Sequence, residues 1–114
     1  MVYDPGIQAY VDRTRSALGK VADLGALTLT QRRTRSDRAA ALINEPYPDW
    51  LEVNDTYIVL SGRELLVRVY RPSGSRPLPA IVYLHGGGFM AGSPQGHDFI
   101  TASLACNTGA QVLS

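Results

Sequence analysis

The chain has one cysteine, Cys106, in 114 residues, so no internal disulfide can hold it together. It also lacks an excess of either charge. Eleven Lys and Arg face ten Asp and Glu, for a net charge of +1. That balance argues against bulk binding to a phosphate backbone or an acidic membrane surface. No apolar run approaches the roughly 18 residues that a bilayer span needs. Met1 to Gly6 shows no basic stretch leading into an apolar one, so no secretory leader is expected, and a reducing cytoplasm is the simplest setting. The two histidines, His85 and His97, have no Cys or carboxylate at ligand spacing, so no zinc site is expected. There is no Gly-Lys-Ser/Thr, which excludes a Walker phosphate loop.

What is present is globular. Hydrophobic residues make up 45% and charged residues 18%, enough for one modest core and too short a chain for two domains. Residues 1–45 read as helical and polar. Asp4-Pro5 predicts a capped helix start with Gly19 as its stop, and Thr28 or Thr30 predicts the start of a second helix running through Ile43. Glu45-Pro46-Tyr47-Pro48 breaks it. Leu51 to Leu60 and Glu64 to Arg71 read as two strands around Ser61-Gly62-Arg63, an antiparallel hairpin. After the loop Pro72 to Pro79, Ala80 to His85 reads as a strand buried on both faces. His97 or Asp98 then opens a helix closed by Gly109, and a further strand begins at Ala110. Strand, helix and strand in that order imply a parallel crossover. The expected division is a helical segment, 1–45, followed by an α/β portion, 46–114.

The densest signal is Ile81-Val82-Tyr83-Leu84-His85-Gly86-Gly87-Gly88-Phe89. Three glycines at the end of an apolar strand remove every Cβ, so backbone N–H groups can turn into one cavity. Fixed donors about 3 Å from a developing negative charge make an oxyanion hole. Gly86-x-Gly88-x-x-Ala91 also fits the dinucleotide fingerprint formally. However, Gly92-Ser93-Pro94 stands where the helix should begin, and Cys106 to Val112 contains no acid for a ribose. Ser93 is not in a Gly-x-Ser-x-Gly setting, so it is not read as a nucleophile. His85 reads as a loop-holding residue, His97 as a loop-packing or surface residue, and Cys106 as a small buried hydrophobe. The run Gln31 to Arg38 reads as the solvated face of a helix with Arg33 and Asp37 four apart. Residues 1–45 carry seven basic and five acidic side chains with no aromatic residue among the arginines. Trp50, Tyr47 and Tyr57 read as packing residues.

Val69-Tyr70-Arg71-Pro72, His85-Gly86-Gly87-Gly88-Phe89, Gly92-Ser93, His97-Asp98 and Thr108-Gly109-Ala110 together resemble the N-terminal portion of the hormone-sensitive-lipase-like esterases. These are HGGG-motif enzymes of the α/β-hydrolase fold. The resemblance implies a carboxylic-ester hydrolase acting on a small-molecule ester without cofactor or metal, with Gly87 and Gly88 as oxyanion donors. His85 and Gly86 would support the loop, Phe89 could line the acyl pocket, and residues 1–45 would belong to a cap. It also implies that the last strand lies between the hairpin and the Ala80 strand, leaving that strand as an apolar edge able to self-associate. The family's nucleophilic serine, acid and catalytic histidine have no counterpart among these 114 residues. The chain by itself is therefore expected to be inactive, as the front piece of a longer enzyme or a truncated product. The alternative is a non-catalytic protein that holds a small apolar ligand on the same scaffold. A downstream elbow that keeps its glycines but loses the histidine would favour that second account.

Overall fold

The structure is a computed structural model that describes residues 4–20, 24–74 and 77–114. The leader expectation at Met1 to Tyr3 and the loop residues Ser75 and Arg76 lie outside the described residues. The first helix, α1, spans Pro5–Leu18. Its start is fixed by Asp4, whose carboxylate accepts from the Gly6 N–H at 2.8 Å, and its end by Gly19 at φ 68°. The second, α2, spans Leu29–Ala41. Of the two threonines, Thr28 is the cap, in a full capping box with Gln31. The helix stops two residues earlier than the sequence suggested. Leu42 and Ile43 donate to Ala39 and Ala40, three residues back, as the chain tightens ahead of Pro46.

The hairpin forms as expected, β1 at Leu51–Leu60 and β2 at Arg63–Pro72, joined through Gly62 at φ 77°. Then come β3 (Ala80–Val82), α3 (Asp98–Thr108, closed by left-handed Gly109) and β4 (Gln111–Leu113). The strands lie in the order β1-β2-β4-β3, with β4 antiparallel to β2 and parallel to β3. Pairing β3 and β4 in parallel requires a crossover, and α3 supplies it, packing on one face of the sheet. The core sits between that face and α3: Leu51, Tyr70, Ala105 and Val112, with Val53, Ile81, Tyr83, Ala102, Leu104 and Cys106 against them.

Three expectations change. The Ala80 to His85 strand is shorter than expected and is not buried on both faces. Only Ala80–Val82 is regular, with Tyr83 adding one bond to Leu113 at 2.8 Å, and Val82 and Leu84 stay exposed. The reason is that β3 has one neighbour, three residues long, and only the α3 side of the sheet is covered among the described residues. Cys106 is half-buried at the rim of the core rather than enclosed. Trp50 and Tyr57 are exposed rather than packed. No helix among the described residues is long and apolar enough to cross a membrane.

Candidate functional site: the triple-glycine bend

The chain leaves β3 through Leu84 and His85 and turns sharply at Gly87. Gly87 has φ 132°, and a Cβ there would lie 1.8 Å from the Ala91 carbonyl oxygen, so no side chain fits. Gly88 follows at φ 58° and Phe89 at φ 60°, in the left-handed region that bulky residues avoid. The Gly87 carbonyl accepts from both Met90 and Ala91 N–H at 3.0 Å, which closes the bend. The Gly87 and Gly88 N–H groups belong to neither strand nor helix, and among the described residues neither meets an acceptor. Two adjacent donors are thus left free by the turn that displays them.

His85 holds the bend from its near side. Its Nδ1 donates to the Gly86 carbonyl at 2.8 Å, because a carbonyl can only accept. Its ring stacks on His97, 5.2 Å between centroids, and His97 Nδ1 donates to Ser93 O at 3.2 Å. Gly92 must be glycine, because a Cβ would meet Gly86 O at 2.5 Å and His85 Nδ1 at 2.8 Å. The Ser93 hydroxyl donates to Asp37 at 2.7 Å and accepts from Gly96 N–H at 2.8 Å. It is a loop tie with no spare geometry for attack.

The sequence reading missed how α2 meets this loop. Arg33 and Asp37 do not pair with each other as a solvated face would. Arg33 Nε donates to Met90 O at 3.2 Å and Nη2 to Phe89 O at 3.4 Å, while Asp37 takes Ser93. The four-residue spacing was the available signal, since it places both on one side of the helix. A second missed centre is Asp98, buried at the start of α3. It accepts from Tyr47 and Tyr70 hydroxyls at 2.5 Å each and from Arg68 at 3.2 Å. Arg68 also makes a two-bond pair with Asp55 across the hairpin, at 2.7 and 2.9 Å. Burial, and then the bond to Asp98, push the Tyr47 hydroxyl up to about 12, and the same two causes raise Tyr70. The bond from Arg68 holds the Asp55 carboxyl below its usual range. This network clamps the 46–50 linker, the hairpin and α3 together.

The bend itself is open. His85 to Met90 are all exposed, and Phe89 fully so, which leaves it packed against no core. An apolar cleft of about 500 Å³ on the uncovered face of the sheet reaches His85, Gly92 and Ser93. Gly87 and Gly88 stand outside its lining, so the enclosing cavity that the sequence suggested is not built by these residues.

Comparison with known proteins agrees with this architecture. A family model described as the alpha/beta hydrolase fold matches residues 81–114, the stretch from β3 to β4. An ethyl acetate hydrolase of Pseudomonas putida is 34% identical over the whole of this chain, which spans 38% of that protein's length. The solved structure of a hyperthermophilic esterase from Pyrobaculum calidifontis superposes with TM-score 0.74 at 31% identity, over 100% of this chain and 36% of that one. An esterase of the bacterial hormone-sensitive lipase family has the same fold, TM-score 0.69 at 20% identity, over 99% of this chain and 35% of that one. With strand order, crossover and glycine bend all in place, the chain has the α/β-hydrolase fold and is similar to these esterases over about a third of their length.

Proposed function

We propose that this chain supplies the oxyanion loop of a serine carboxylic-ester hydrolase, with the N–H groups of Gly87 and Gly88 as donors and His85 and Gly86 as their support. The observation that carries this is the pair of unpaired amides at a bend where only glycine fits the first position. When a nucleophile adds to an ester carbonyl, charge collects on oxygen, and donors already aimed there need not reorganise. The substrate class follows from the relatives: esters of small acids and alcohols, as in the ethyl acetate hydrolase. Residues 1–45, through α2, act as the part of a cap that reaches the bend, and Phe89 stands at the mouth on the acyl side. The single cysteine suits a reducing cytoplasm. The chain carries no Gly-x-Ser-x-Gly, so a nucleophile must come from other sequence. Without it the apolar edge at β3 is left to pair with a second copy.

The test compares hydrolysis of p-nitrophenyl acetate and butyrate by two proteins. One is the 114-residue chain. The other is the Pseudomonas putida relative with residues 81–114 of this chain in place of its own matching segment. The chain alone is expected to be silent and the graft active, and Gly87→Ala in the graft should slow it by about 100-fold or more. Where the larger exchange does not fold, residues 83–93 alone are exchanged. A folded graft without turnover, turnover indifferent to Gly87→Ala, or turnover by the chain alone overturns the proposal.

A further inference from the structure

The bonds around the bend form a directed series. Arg33 donates to the carbonyls of Phe89 and Met90. Each of these oxygens shares a peptide unit with the next N–H, that of Met90 and Ala91 respectively. Both of those N–H groups donate to the Gly87 carbonyl, at 3.0 Å. The Gly87 carbonyl in turn shares its peptide unit with the Gly88 N–H. A cation at one end of such a series draws electron density through each amide, and hydrogen bonds in sequence strengthen one another. Two parallel branches start at one guanidinium and converge on one amide. The Arg fork suits this, because two of its nitrogens reach two oxygens from a fixed plane.

We infer that Arg33 is a positioning residue that polarises the Gly88 N–H through the Phe89–Met90 and Met90–Ala91 peptides, making it a stronger donor than a bare bend would offer. The functional meaning rests on the oxyanion reading above, while the relay itself is independent of it. Asp37 provides the contrast. It ties the far end of the same loop through Ser93, yet has no bond into the series. A purely mechanical role for α2 would make the two residues equivalent.

The experiment is nuclear magnetic resonance on the full 114-residue chain labelled with 15N and 13C, carrying Val82→Lys where needed to keep it monomeric. The 15N shift of Gly88 reports hydrogen bonding at the Gly87 carbonyl, and the carbonyl 13C shifts of Phe89 and Met90 report Arg33 directly. Arg33→Gln keeps a donor without charge, and Arg33→Lys keeps charge without the fork. The expected result is an upfield shift of Gly88 15N that is larger for Gln than for Lys, with Asp37→Ala leaving Gly88 in place. Equal shifts for Gln and Lys, a Gly88 signal unmoved by Gln, or a shift on Asp37→Ala equal to that on Arg33→Gln overturns the relay. If Gly88 responds while the folded esterase graft stays silent, the relay stands and the ester-hydrolase reading falls. An active graft with an unresponsive Gly88 gives the converse.

Discussion

Gly87 and Gly88 are neighbours with different physical obligations. At Gly87 an added methyl would lie 1.8 Å from a backbone oxygen, which no rotamer change can relieve. At Gly88 the space is open and only the backbone angle is strained. Gly88→Ala should therefore cost about 1–2 kcal/mol and leave the bend in place. Gly87→Ala should undo the bonds from Met90 and Ala91. Amide hydrogen exchange separates them, with protection at Met90 and Ala91 kept in the first variant and lost in the second. Asp98 is the other position where one residue decides much. Asp98→Ala leaves two hydroxyls and a guanidinium facing a buried gap, and should lower the unfolding free energy in urea by about 3 kcal/mol or more. The sequence made the glycines legible because their chemistry is local: three missing side chains at the end of a strand. Asp98, Tyr47 and Arg68 were not legible as a group, because they lie on three elements that only the fold brings together.

Among elements, the helices were read best. Asp4, Gly19, Thr28 and Gly109 each act within one turn of their own position. Thr28→Ala should remove about 1 kcal/mol from α2, seen as earlier fraying by circular dichroism on heating. Because Arg33 and Asp37 ride on that helix, the same change should raise exchange at the bend. The hairpin and the linker that leads into it carry the pH dependence. Asp55 has a folded pKa below its unfolded one, so its contribution is present above the ordinary value and is lost as pH falls through the folded value. Tyr47 has the opposite sense. Its contribution is complete below 10.0 and drains away as pH rises toward about 12. The urea midpoint should be flat near neutrality, fall below about pH 4, and fall again above about pH 10. Asp98→Ala should shrink the alkaline limb without abolishing it, because burial is the larger cause of the Tyr47 shift. β3 was the element read least well. Its apolar letters are those of a buried strand, but letters do not say whether anything lies opposite, and here one side stays bare.

At the scale of the whole molecule, one sheet face is clothed by α3 while the other shows Val82, Leu65 and Ile58 to solvent beside an open strand edge. Sedimentation velocity on the 114-residue chain should show concentration-dependent self-association. Val82→Lys should suppress it, because a charge on an edge strand opposes pairing. Association that survives Val82→Lys unchanged would place the contact elsewhere. Strand order was available only through the family resemblance, since three-residue strands carry too little pattern to fix a neighbour.

The order β1-β2-β4-β3 means that β4, the latest of the four strands in the chain, lies between two strands that precede it. Until Val112 arrives, the hairpin and the bend-bearing strand have no hydrogen bond to share. A ribosome translating this chain thus carries two unconnected halves until β4 has been made. The hairpin and β3 join only when three residues of β4 slide into a slot flanked on both sides. Removing those few residues should part β3 from the hairpin, while β1 and β2 stay paired along their whole length.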